Sequence, residues 1–161
     1  MNRQNGLLEE IYHRYRRELF ACALAVTRNS ERAEDAIQDA FYRLFRQRRI
    51  PRNPKAYVFR AVRNAAIDLL RKRPTAEQEV PESLFDPADG PQDFTERREF
   101  QRRVETALHT LSEDERETIL QHLYADLTFQ EIADLRDTPI GTVTAWYRRG
   151  LEKLRTRLEN R

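Results

Sequence analysis

Apolar residues return every three to four positions through most of this chain, a period that helices satisfy and strands do not. Leu8, Ile11, Tyr12, Tyr15, Leu19, Ala23 and Val26 form one such stripe and predict a helix over residues 7–28. Asn29 and Ser30 are residues that cap a helix start, with Glu31 and Glu34 in the turn that follows. The second helix then runs to about residue 48, with Ala33, Ala36, Ile37, Ala40, Phe41, Leu44 and Phe45 inward. A basic loop leads to Asn53 and Pro54, a cap followed by proline at the first helical position. The third helix carries Phe59, Val62, Ala66, Leu69 and Leu70 on its inner side and stops at Pro74. Helical spacing resumes near residue 96 with Phe100, Val104, Ala107 and Leu108. With only 4 glycines and no alternating β-branched runs, the chain is predicted to be all-α. No run of 18 apolar residues occurs, which predicts no membrane insertion. The polar start leads straight into an amphipathic helix and does not read as a signal peptide. The single Cys22 reads as a small core residue, and these features together predict a cytoplasmic protein.

The formal charge of +2 conceals a strong segregation. Residues 1–73 hold 17 basic and 8 acidic side chains, residues 74–96 hold 7 acidic and no basic ones, and the remainder is balanced. Pro81, Pro87, Gly90 and Pro91 fall in the acidic stretch, which shows no helical period. The expected organisation is two small helical domains, 1–74 and 96–161, joined by a flexible acidic linker over 75–95. Such a linker leaves room for a compact form in which the basic front meets acidic surfaces of the strap.

In the rear domain, Ser112 with Glu115 and Thr128 with Glu131 each have capping-box spacing. The second box opens a short helix ending near Leu135, followed by a tight turn and a longer helix to about residue 158. Asp137 occupies the corner, where Asp tolerates a left-handed backbone. Ala133 is small where two helices must cross, and Ile132 and Val143 are placed to fill the crossing. Ile140, Val143, Tyr147, Leu151 and Leu154 form the expected buried stripe of the last helix. Thr142, Thr144, Ala145, Arg148, Arg149 and Lys153 remain on its polar face. This is the pattern of a helix-turn-helix that lays its second helix in the major groove. An αα-hairpin with a solvated face is the alternative.

In the front domain, residues 46–73 hold 10 basic residues and one acid, Asp68. Arg60, Asn64, Ile67, Asp68 and Arg71 lie along one side of the third helix. Basic residues supply phosphate contacts, and aromatic faces suit unstacked bases. Tyr57 and Phe59 read individually as core. Asp35, Gln38, Asp39 and Tyr42 are spaced along one face of the second helix, opposite its apolar stripe. An acidic stripe in a basic domain suits a protein partner, though a solvated face is the commoner origin of such a pattern.

Taken together, these segments resemble bacterial sigma factors of the sigma-70 family, in particular the extracytoplasmic-function (ECF) group. The resemblance rests on AEDAIQDAF at residues 33–41 and on PKAYVFR at 54–60 with Asn64 and Asp68. In the rear it rests on Leu111 with Ser112, and on Glu131, Ile132 and Ala133 with Gly141, Thr142 and Val143. It implies that residues 1–74 are sigma region 2, with Asp35, Gln38, Asp39 and Phe41 docking on the β′ clamp of core RNA polymerase. It implies that Arg48, Arg49, Arg52, Asn53, Arg60, Arg63, Asn64 and Arg71 contact the minus-ten element and hold its flipped bases. Residues 96–161 would be region 4, reading the minus-thirty-five element through Thr142, Thr144, Ala145, Arg148 and Arg149. Implied partners are promoter DNA, core polymerase through its β′ and β subunits, and an anti-sigma factor. No cofactor, metal or catalytic residue is implied, and the chain is expected not to be an enzyme by itself.

Where the family usually has a basic residue, a Ser and another basic residue, this chain has Thr144, Ala145 and Trp146. Arg148 and Arg149 alone remain as charges in the contact stretch, and Trp146 reads as packed or partly exposed rather than base-reading. Two other readings stand beside the sigma reading. A helix-turn-helix regulator acting on duplex DNA without polymerase would leave the basic front and the acidic stripe unused. An enzyme would have to draw on Asp35, Asp39, His13, His109 or His122, and those histidines are scattered without metal spacing.

Overall fold

The computed structural model describes residues 3–72 and 94–160. Seven α-helices, with one turn of π-helix, account for its regular structure, and no strand occurs among the described residues. The expected acidic linker lies outside the described residues except for its last two positions, which open a helix.

The front unit comprises α1 (Arg3–Thr27), α2 (Ser30–Arg46) and α3 (Pro54–Lys72), each touching the other two. Asn29 caps α2 by accepting from the Arg32 amide at 3.0 Å, and Asn53 starts α3 by accepting from the Ala56 amide at 3.2 Å. Either cap is worth about 1 kcal/mol. Helix α1 is kinked at Tyr15, whose φ of −113° and ψ of 20° leave the helical region. The Tyr15 ring meets the Phe59 ring edge-on at 6.2 Å, which joins the kink to the centre of α3. Leu8, Leu19, Ala33, Ala36, Val58, Phe59, Val62 and Ala66 are all buried in this core. Cys22 lies there too, where burial pushes its thiol well up and keeps it protonated.

The rear unit comprises α4 (Phe94–His109), α5 (Glu113–Ile119) running into a π turn (Leu120–Tyr124), α6 (Phe129–Arg136) and α7 (Ile140–Glu159). Both expected capping boxes form reciprocally, at Ser112 with Glu115 and at Thr128 with Glu131. Asp137 takes the left-handed conformation, φ 51° and ψ 48°, and its amide closes the end of α6 on the Ala133 and Asp134 carbonyls. The π turn places Gln121 fully inside, where its side-chain amide donates to Glu117 Oε1 at 3.0 Å. Ring packing supports the same turn: His122 stacks on Phe129 at 4.2 Å, and Tyr147 meets both rings edge-on. His122 Nδ1 lies 2.7 Å from the Leu127 carbonyl, which can only accept, so that nitrogen carries the proton.

Three stripe positions depart from expectation. Ile140 is 46% exposed because it is the first residue of α7 and precedes the crossing, which Val143 fills. Phe100 is 55% exposed, since the apolar packing of α4 begins one turn later at Val104. Phe45 is 39% exposed at the end of α2, where Leu44 takes the buried place.

Helices α5 and α7 pack tightly at Gly150, where a Cβ would come 2.5 Å from Ile119 Cδ1 and 3.4 Å from Glu115 Cβ. Both neighbours are buried and have little room to move. Gly150→Val is therefore expected to lower stability by about 2–3 kcal/mol through overpacking, read as a lower denaturant midpoint.

Candidate nucleic-acid interface

Three surfaces carry the residues singled out by the sequence. The first is the outer face of α2. Asp35 and Gln38 are exposed, and Asp39 is half-buried with its Oδ2 3.1 Å from Arg43 Nη2. Arg43 also reaches 3.9 Å toward Asp68 on α3, steadying the carboxylate face from the side. Tyr42 is 62% exposed and, with Phe45, adds aromatic surface to the acidic stripe. Aromatic side chains are enriched at protein interfaces while carboxylates are not, so exposed Tyr42 and Phe45, rather than the acids, set this stripe apart from a plain solvated face. Phe41 does not lie on this surface: it is buried, with its ring edge-on to Tyr12 at 5.2 Å, so it supports the face from beneath.

The second surface is the basic loop and α3. Arg48, Arg49, Arg52 and Asn53 are exposed in the loop, as are Asn64 and Arg71 on the helix. Tyr57 is half-buried and donates its hydroxyl to Gln47 Oε1 at 2.8 Å, while Phe59 is core. Two members of the predicted set are already engaged within the chain. Arg60 donates to the Asp134 carbonyl at the end of α6, and Arg63 Nε lies 2.5 Å from Glu117 Oε1 on α5. Local spacing carries no sign of these partners, which lie 74 and 54 residues away.

The third surface is α7. Thr144, Arg148 and Arg149 are exposed, and Thr142 and Ala145 are half-buried. The Thr144 hydroxyl is turned back to the Gly141 carbonyl at 3.0 Å. Trp146 packs on the core, with the Arg136 guanidinium over its ring at 4.4 Å. Arg136 is almost wholly buried, donates to Asp114 and Thr118, and lies 3.2 Å from Glu117 Oε2. It thus joins α5, α6 and α7 at one point and sets the angle of the helix-turn-helix. Lys153 secures α7 further along by donating to Glu115 Oε1 at 2.6 Å. Burial raises the Glu115 carboxyl, but the Lys153 hydrogen bond and those from Ser112 outweigh it and hold the group below its usual range.

The Sigma-70 region 2 family model matches residues 11–74, and that of Sigma-70, region 4 matches residues 101–154. An ECF RNA polymerase sigma factor, RpoE of Cereibacter sphaeroides, is 30% identical over 133 residues, covering 78% of this chain and 72% of that protein. The chain belongs to the ECF group of the sigma-70 family. Sigma factors of this group direct RNA polymerase to promoters, and the three surfaces lie on the two regions that define them. The fold agrees with that of RpoE from Bartonella quintana, solved with the anti-sigma factor NepR. That likeness has a TM-score of 0.69 at 22% identity and covers 89% of this sigma factor and 91% of the other chain. Among its described residues, no helix is long and apolar enough to cross a membrane, and no group of three or more metal-type side chains occurs.

Proposed function

We propose that this sigma factor binds core RNA polymerase through α2 and carries it to promoters read at two elements. The observation that carries the reading is the pairing, in one chain, of an acidic and aromatic face on α2 with two exposed basic surfaces, one on the loop and α3 and one on α7. Residues 1–74 act as region 2 and 96–161 as region 4, joined through 75–95. Asp35, Gln38 and Asp39 dock on the β′ clamp, with Tyr42 and Phe45 adding apolar contact and Phe41 holding the helix in place. The loop residues Arg48, Arg49, Arg52 and Asn53, with Arg60, Arg63, Asn64 and Arg71 on α3, grip the minus-ten strand. Guanidinium groups neutralise phosphate there, and capture of flipped bases stabilises the opened duplex without covalent chemistry. The polymerase supplies the catalysis, so the sigma factor needs no catalytic residue or cofactor of its own.

On the rear unit, α7 enters the major groove of the minus-thirty-five element with Thr142, Thr144, Ala145, Arg148 and Arg149 toward the bases and backbone. With Trp146 committed to packing, discrimination falls mainly to the two arginines, each worth about 1–3 kcal/mol where it pairs with guanine. An anti-sigma factor is the expected protein regulator, by analogy with the partner of the Bartonella quintana relative.

Run-off transcription tests this reading. Purified core polymerase with sheared genomic template is expected to give a discrete set of transcript starts only when the sigma factor is added. DNA binding without any new start would favour a helix-turn-helix regulator that works without polymerase.

A further inference from the structure

The two arginines leave the leading half of the α7 face without a role. Val143 and Gly150 are buried, and Trp146 and Tyr147 pack on the cores, so the helix turns a single arc outward. At about 100° per residue, that arc carries two parallel rows. One is Ile140, Thr144 and Arg148; beside it run Gly141, Ala145 and Arg149. Both rows end in a charge and begin without one.

The first two turns, which reach base edges in a helix docked in this way, are apolar on their outer side. Ile140 is 46% exposed at the very start of the helix. Ala145 adds a half-buried methyl. Thr144 turns its hydroxyl back to the Gly141 carbonyl at 3.0 Å, which leaves its methyl as the group facing out. Gly141 makes no room within the chain, since an added Cβ would meet nothing within 4 Å. Its missing side chain acts on the outward side, where it lets the backbone come close to a groove floor.

In the major groove every base edge offers hydrogen-bonding atoms, and one group alone is apolar, the 5-methyl of thymine. An apolar surface laid on guanine or cytosine edges would leave their acceptors and donors dry and unpaired. The same surface laid on thymine buries carbon against carbon. We propose that Ile140, Thr144 and Ala145 read thymine methyl groups, so that the minus-thirty-five element of this sigma factor carries thymines next to the bases that the arginines contact. The inference rests on the reading of α7 given above and adds base identity to it. Hydrogen-bonded discrimination stays with Arg148 and Arg149, one turn further along.

The test uses the sigma factor bound to core polymerase. Promoter duplexes are enriched from a randomised pool, and footprinting locates the upstream element. Each thymidine in that element is then replaced by deoxyuridine, which pairs in the same way and lacks only the 5-methyl. Competition binding is expected to show about four-fold weaker binding, the size of one buried methyl group, at more than one thymine. Thr144→Ser removes the outward methyl and keeps a hydroxyl for the Gly141 carbonyl. Ile140→Ala removes exposed apolar surface and leaves the core intact. Each variant is expected to bind the thymidine and deoxyuridine duplexes equally at one position and to keep the difference at the others. A folding defect produces no such position-specific coupling.

Equal affinity for thymidine and deoxyuridine throughout the element overturns the proposal, as does an enriched element without thymine. So does a difference that survives in both variants, because the methyl would then act through the shape of the duplex. Failure of the α7 reading itself looks different: Arg148→Ala and Arg149→Ala would leave binding to the upstream element at wild-type strength.

Discussion

Asp39→Arg is expected to abolish binding to core RNA polymerase while leaving the helical fold unchanged. Asp39 stands mid-way along the α2 face, between exposed Asp35 and Gln38 on one side and Tyr42 on the other. Its side chain is 40% exposed and pairs with Arg43, itself 54% exposed. An arginine at 39 would sit one turn from Arg43, and repulsion between exposed like charges on a helix costs only a few tenths of a kcal/mol, about the size of the pair it replaces. Folding stability is therefore expected to move by about 0.5 kcal/mol or less. At a docked interface the same change sets a cation where the partner expects an anion, desolvated and unpaired. Losses of about 2–5 kcal/mol are usual for a disrupted charge pair of that kind. That corresponds to a roughly 30-fold to several-thousand-fold weaker complex. Co-elution or anisotropy with purified core enzyme measures it, alongside a thermal melt. Wild-type affinity in the variant would remove α2 from the docking surface.

Phe59→Ala has the largest expected effect on stability. Phe59 is 1% exposed, flanked on α3 by fully buried Val58 and Val62, and it meets the kinked turn of α1 through Tyr15. Removing the ring takes away its burial and leaves a cavity that three helices cannot close together, a loss of about 3–5 kcal/mol. Domains of this size have about 5–15 kcal/mol in total, so the front unit would be left marginal. Denaturant unfolding followed by circular dichroism should show its midpoint fall sharply. A small shift would mean that the ring is not the centre of that core. Tyr57→Phe provides the contrast within the same helix, because it loses only a half-exposed hydroxyl contact to Gln47.

The difference between these neighbouring aromatics shows how far the sequence could be read. Both belong to a basic, aromatic stretch suited to single-stranded DNA, and helical period placed Phe59 on the inner side. The period did not show that Tyr57 would lie at the rim. The same limit appears at Phe45 and Ile140, which continue apolar stripes in register yet face outward. A stripe gives the direction of a face but not where its neighbour ends.

What the sequence determined by itself was everything settled within a few residues. Caps at Asn29, Asn53, Ser112 and Thr128 and the left-handed corner at Asp137 depend on hydrogen bonds spanning three or four positions, so residue type and spacing decide them. The all-α class and the helix-turn-helix follow from those signals and from the apolar period. Only the tertiary structure decided which cations would be free. Arg60 and Arg63 look like Arg48 and Arg49 along the chain, but docking of the rear unit gives the first pair the Asp134 carbonyl and the Glu117 carboxylate. It also turned Arg136 inward onto Trp146 and left Arg148 outside. Partners so distant in sequence meet through the shapes of two whole surfaces, and local spacing does not encode them.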